Sequence, residues 1–170
     1  MKNKVVCEIL KVLEDIGEKD YISLISLVSR AKRVFVAGSG RSGLIGKCFA
    51  MRLMHMGIET HVAGETICPP VKKGDLLIVV SFSGERKSLL EFAKIARGLQ
   101  AKVLLITGAK PPRKGVFDYV VKIPAEKSVQ FKNSLFEQAA FLFLEIFVER
   151  YRKKHDISLK EMMSRHANLE

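Results

Sequence analysis

The chain has no tryptophan, only three tyrosines and only five prolines. Without aromatic interleaving among its basic residues, it shows no base-stacking reader of nucleic acid. Proline and glycine together number only 17, which excludes disorder, collagen and low-complexity linkers. Its three cysteines, Cys7, Cys48 and Cys68, stand far apart, and no CxxC pair occurs. That argues against a zinc site or a disulfide framework; reduced, mostly buried thiols in a cytoplasmic protein are expected. Long apolar runs are missing too. The most apolar stretch, LFEQAAFLFLEIFV at 135–148, is 14 residues long and holds Glu137, Gln138 and Glu145. A bilayer span needs about 20 apolar residues, so this stretch reads as a buried helix and no membrane partner is expected. Met1 to Asp20 carries charges throughout and has no apolar segment of the kind a signal peptide needs. Acidic residues are also scarce. Asp plus Glu number 18 against 29 Lys plus Arg, a net charge of +11. The excess points to nucleic acid, a membrane surface or a phosphorylated small molecule. The basic residues are scattered, apart from Arg150, Arg152, Lys153 and Lys154, which suit a solvated helix end.

What is present is an alternation of periods. Asn3 to Ile16 places Val6, Ile9, Leu10, Leu13 and Ile16 at helical spacing, and Gly17 stops it. Asp20 is a candidate cap for a second helix carrying Ile22, Ile25 and Val28. Five short apolar runs follow, at 33–38, 60–64, 75–81, 102–108 and 118–124. Valine, isoleucine and leucine without alternation suit strands buried on both faces, as in a parallel sheet. Helical patterns lie between them, from Ser42 to His55 and from Glu85 to Arg97. A long helix at about 133–154 and a short one capped by Ser158 and Glu161 close the chain. This is an α/β pattern of the doubly wound kind, in one domain over 1–170.

Two strand-to-helix turns are rich in glycine and serine, Gly38-Ser39-Gly40-Arg41-Ser42-Gly43 and Ser81-Phe82-Ser83-Gly84-Glu85-Arg86. In such sheets ligands sit at the carboxyl ends of the strands, where helix N-termini point. Glycine lets the backbone approach a phosphate, serine adds donors, and Arg41 and Arg86 add positive charge. The first turn also matches GxGxxG, a weak signal for a dinucleotide, with Glu65 near the place of a ribose-binding carboxylate. A second serine-rich cradle suits a small sugar phosphate better. The plainer alternative is that these glycines only make tight turns.

One carboxylate stands out. On a helical wheel Gln138, Glu145, Glu149 and Arg152 share a polar stripe, whereas Glu137 falls with Phe141, Leu144 and Val148. A carboxylate on an apolar face is costly unless paired or used, which suits a general base. A helix-start carboxylate favoured by the macrodipole is the equal alternative. Of the four histidines, His55 ends a helix, His61 alternates with strand residues, and His155 lies in a basic RKKH. His166 sits in a terminal tail that pattern alone would set aside. Of the 14 residues from 135 to 148, 11 are apolar, including four Phe. That is more than one buried face needs, so a homo-oligomer is expected.

The serine loops and their helices resemble the sugar isomerase (SIS) domain family. FAMRLMHMG (49–57), GET (64–66), KKGDLLIVVSFSGE (72–85), LFE (135–137) and the terminal RHANLE (165–170) narrow the resemblance to 6-phospho-3-hexuloisomerases, over nearly the whole chain. The resemblance implies a flavodoxin-like fold, with a five-stranded parallel sheet between helices, usually assembled as a tetramer. It implies interconversion of D-arabino-3-hexulose 6-phosphate and D-fructose 6-phosphate, in the ribulose monophosphate pathway, without metal or organic cofactor. Ser42, Ser81 and Ser83 would hold the phosphate, and Gly40 and Arg41 would line the sugar. Glu137 matches the family's base, and His166 a histidine that reaches a neighbouring subunit's site. The chain departs from the family in three places. Phe82 stands where a small residue is usual, Arg86 replaces a phosphate-holding threonine whose role it could take over, and residues 131–134 replace a PLGT-like loop. An isomerase of another phosphosugar, or a non-catalytic phosphosugar-binding regulator, is the alternative reading.

Overall fold

The computed structural model describes residues 3–111 and 115–169. Its elements are α1 (Lys4–Glu14), α2 (Glu18–Arg30), β1 (Val34–Gly38), α3 (Arg41–His55), β2 (Thr60–Val62), β3 (Leu76–Val80), α4 (Lys87–Gly98), β4 (Lys102–Thr107), β5 (Tyr119–Lys122), α5 (Ser134–Lys154) and α6 (Leu159–Ser164). The five strands pair in the order β2-β1-β3-β4-β5, all parallel. The expected parallel α/β sheet between helices is therefore what the chain forms.

The strands lack alternation because each face of the sheet meets its own core. Val34, Val36, Leu76, Ile78, Val80, Leu104 and Ile106 pack with α2, α3 and α5. Their neighbours Phe35, Ala37, Leu77, Val79, Val103 and Leu105 pack against Leu89, Ala93 and Ala96 of α4. A side chain on either face is thus removed from water, and apolar residues are favoured there. The first core is the thicker. Phe49, Phe136, Phe143 and Phe147 are fully buried in it, and α5 brings three of the four.

Helix ends differ from the pattern in two places. Helix α2 starts at Glu18 behind Gly17, so Asp20 lies inside its first turn rather than capping it. Helix α4 starts at Lys87, two residues after the spacing suggests, because Gly84 turns with φ 66 and the chain needs Glu85 and Arg86 to swing into the helix axis. Ser158 and Glu161 do form a reciprocal capping box on α6. The cysteines correct the sequence reading. All are free thiols, but Cys7 and Cys48 are exposed and Cys68 is half-buried. Cys48 lies on the outer stripe of α3 with Leu44 and Met51, which are also exposed. No helix among the described residues is long and apolar enough to cross a membrane.

Candidate active site

The sheet's direction of winding changes between β1 and β3. From β1 the chain crosses through α3 to β2 at one edge, and from β3 through α4 to β4 on the other side. The two strands are hydrogen-bonded neighbours, with Gly38 opposite Val80. Their carboxyl ends therefore open side by side into the crevice where ligands of such sheets bind. The loops that leave them are the two glycine-serine turns.

The first turn needs its glycines. A Cβ on Gly38 would stand 2.7 Å from the Gly43 backbone, so the two glycines close the loop by direct backbone contact. Gly40 adopts φ 58 and ψ −139 at the start of α3, a region L side chains rarely enter. No side chain caps α3 or α4, as is also true of α2 and α5, whereas Asn3 caps α1 and Ser158 caps α6. The Gly43 N–H of α3 donates to the Ser39 carbonyl at 3.4 Å, and the N–H groups at the heads of α3 and α4 that no side chain takes can face an anion, assisted by both helix dipoles. Ser42 lies half-buried in the first turn of α3.

The second turn holds its serines in a usable state. Ser81 Oγ accepts the Gly84 N–H at 3.2 Å, and Ser83 Oγ accepts the Glu85 N–H at 3.2 Å. Each hydroxyl spends a lone pair on the loop and keeps its own O–H to donate to a phosphate oxygen. Arg86 is the residue before α4, exposed, and its guanidinium has no partner among the described residues.

Phe82 does not obstruct this cradle. Its ring turns inward, edge-on to Phe136 at 5.6 Å, and fills the space over Gly108. Its carbonyl accepts from Thr107 Oγ1 at 2.5 Å, Gly108 N at 3.2 Å and Ala109 N at 3.0 Å, which pins the turn to the end of β4. A Cβ on Gly108 would lie 2.5 Å from the Phe82 ring and 2.8 Å from Phe136. Gly108→Ala is accordingly expected to lower stability by about 1–3 kcal/mol through overpacking. Denaturant unfolding checks this: a midpoint equal to that of the unmodified chain would mean that the rings have room to move.

Glu137 stands beside the first turn, and its neighbour in sequence packs on the second. Phe136, its neighbour, touches Phe82 of the second turn. Glu137 Oε2 lies 2.9 Å from Arg41 Nε of the first, and its side chain is only 13% exposed. The contact is an ion pair without hydrogen-bond geometry, and this buried oxygen accepts no hydrogen bond among the described residues. Arg41 Nη1 donates instead to Ser134 Oγ at 3.0 Å. So Arg41 faces the carboxylate of α5 rather than the serine turn. Arg41, Leu44, Ile45, Glu137, Gln138 and Phe141 line a groove of about 270 Å³. Gln138 Oε1 is likewise buried without a hydrogen bond. The sequence reading missed Ser134 and Gln138. Gln138 sat in the polar stripe of α5, and only its depth sets it apart. Glu65, weighed as a ribose ligand, is held at 2.5 Å by Lys47.

His166 is elsewhere. Its ring stacks on buried His55 at 5.1 Å and 18°, and Arg165 Nη1 donates to the His55 carbonyl at 3.1 Å. These contacts dock α6 on the carboxyl end of α3. Arg41 begins that helix, so about 21 Å of helix lies between the His166 end and the Glu137 end of α3. The structure thus places Gly40, Arg41 and Ser42 on the turn after β1, Ser81, Ser83 and Arg86 on the turn after its neighbour β3, and Glu137 against Arg41, while His166 lies at the far end of α3.

The SIS domain profile matches residues 27–142, which span β1 to β5, both turns and the start of α5. The chain belongs to the SIS domain family. It is 36% identical to a 3-hexulose-6-phosphate isomerase of Bacillus subtilis, covering 97% of each chain. It is 41% identical to one of Mycobacterium gastri, over 81% of this chain and 74% of that one. Its fold superposes with a TM-score of 0.91 on a crystal structure from Methanococcus jannaschii, at 34% identity over 98% of this chain and 97% of that one. A molecular function of 3-hexulose-6-phosphate isomerase was inferred for that protein.

Proposed function

We propose that this SIS domain, the whole chain acting as one unit, interconverts D-arabino-3-hexulose 6-phosphate and D-fructose 6-phosphate. The observation that carries the reading is Glu137 Oε2, a buried carboxylate oxygen accepting no hydrogen bond among the described residues, set against Arg41 of one of two neighbouring glycine-serine turns. The relatives named as isomerases at 36% and 41% identity favour an enzyme over a regulator.

Moving a carbonyl from C3 to C2 removes the proton at C2, forms the 2,3-enediol, and returns a proton to C3. Nothing is oxidised or reduced overall, and one carboxylate on one face of the sugar serves both transfers. Glu137 is that base. Ser42, Ser81, Ser83 and the first-turn N–H groups of α3 and α4 hold the phosphate, whose binding positions the distant carbons. Gly40 and Arg41 line the sugar. Arg86, at the head of α4 and without a partner among the described residues, contributes a charged donor to the phosphate. Arg86→Ala is expected to raise KM about tenfold with kcat nearly kept, since a hydrogen bond to a charged group is worth about 1.5–3 kcal/mol. Unchanged KM would remove Arg86 from the cradle.

His166 acts in a neighbouring subunit, helping ring opening and the proton movements on oxygen. Leu44, Cys48 and Met51 on α3 and Phe141 on α5 form an exposed, mainly apolar face. If two copies pack α3 antiparallel about its midpoint, Leu44 meets Met51, and the His55 end of one α3 reaches the Arg41 end of the other. That arrangement delivers His166 to the partner's Glu137 and is the first step toward a homotetramer. The test of the activity is incubation with fructose 6-phosphate followed by carbon NMR. A new 3-ketose phosphate resonance is expected. Binding by calorimetry without any new ketose would favour the non-catalytic reading.

A further inference from the structure

Helix α1 is far from the sheet's carboxyl edge in sequence, yet one of its carboxylates reaches toward it. Glu8 Oε1 accepts the Val129 N–H at 2.9 Å. Glu8 Oε2 accepts Ser128 Oγ–H at 2.9 Å and Gln130 Nε2–H at 3.2 Å. Ser128 Oγ in turn accepts the Gln130 N–H at 2.9 Å. The segment 128–130 is therefore folded around a single side chain from α1, and these bonds hold the Glu8 carboxyl below the usual carboxylate range, the Val129 N–H most of all.

The other end of this strap is tied to the candidate site. Ser134 Oγ donates to the Phe131 carbonyl at 2.8 Å and accepts from Arg41 Nη1 at 3.0 Å. Arg41 then faces Glu137. Lys132 sits between the two ties at φ 47, a conformation that persists only where surrounding contacts enforce it. Val129 and Phe131 are 73% and 76% exposed, so apolar burial does not fix the strap. Hydrogen bonds at its two ends do.

We infer that Glu8 is a positioning residue for the isomerase site: by fixing the strap 128–134 it sets Ser134, and through Ser134 the stance of Arg41 against Glu137. This rests on the function proposed above. It acts on the chemical step, because the phosphate cradle lies on other loops.

Glu8→Ala is expected to lower kcat on fructose 6-phosphate about tenfold with KM within about twofold, as small misplacements near a reacting carbon do. Glu8→Gln, whose amide oxygen still accepts the Val129 N–H, is expected to regain most of that loss. Ser128→Ala cuts the same tie from the strap side and is expected to act in the same direction, which covers the case of Glu8→Ala failing to fold. The NMR signal of the Arg41 Nε–H is expected to shift in Glu8→Ala and to return in Glu8→Gln. If kcat and the Arg41 signal stay as in the unmodified chain, the inference is overturned. If the unmodified chain shows no turnover, the proposed activity fails instead, and the Arg41 signal alone decides whether Glu8 reaches the site.

Discussion

Glu137→Gln is expected to lower kcat by about 10²–10⁴-fold, the range by which a positioned general base accelerates proton transfer, while KM changes little. Glutamine keeps the volume and the polar head of the side chain but cannot take a proton from carbon. The phosphate cradle should be untouched, because Ser81, Ser83 and the starts of α3 and α4 belong to other segments. Calorimetry with fructose 6-phosphate would separate the two roles: binding is expected to persist where turnover does not. Arg41 loses its ionic partner in this variant but keeps Ser134. Turnover within threefold of the unmodified chain would remove Glu137 from the mechanism.

Two crippled variants are expected to rescue each other. His166→Gln should lose at least tenfold in kcat, again within the span of a general acid or base. If His166 completes a neighbour's site, a mixed pair of Glu137→Gln and His166→Gln chains has one site with both lesions and one with neither. Random mixing of equal amounts then restores about a quarter of full activity in a twofold-shared site. If instead His166 served its own chain, every site in every mixture would carry one lesion and no activity would return. The geometry favours the first result. His166 is stacked on His55 at one end of α3, and Glu137 stands by Arg41 at the other. Co-expression with two affinity tags, followed by assay of the doubly purified species, would read the outcome directly.

The fold was legible because burial on both sides of the sheet leaves a local trace. Val34 and Val36 face one core, Phe35 and Ala37 the other, and a run with no polar break is the result. The two turns were legible for the same kind of reason, since Gly38 and Gly43 touch and Gly40 turns with positive φ. Contacts between distant segments left no such trace. Phe82 stands where the family has a small residue; the space that receives its ring is made by Gly108, just past the end of β4. Arg41 reads as a phosphate ligand from its charge, yet Glu137 and Ser134 claim it from across the chain. The tie from Glu8 to residues 128–130 spans some 120 positions and has no periodic signature. The cysteines were misjudged by residue type alone: Cys48 shares a stripe of α3 with Leu44 and Met51, and that stripe is exposed.

The central claim is that Glu137 works between C2 and C3 of a ketose phosphate. Fructose 6-phosphate incubated with the protein in D₂O tests it most directly. Removal of the C3 proton by the carboxylate, with partial exchange before its return, is expected to place deuterium at C3 of recovered fructose 6-phosphate and at C2 of the 3-ketose formed. Glu137→Gln should abolish both signals. Deuterium entering at C1 alone would mean a 1,2-enediol and an aldose product, and no exchange at any carbon together with no 3-ketose formed would mean that no enediol arises; either result contradicts the account.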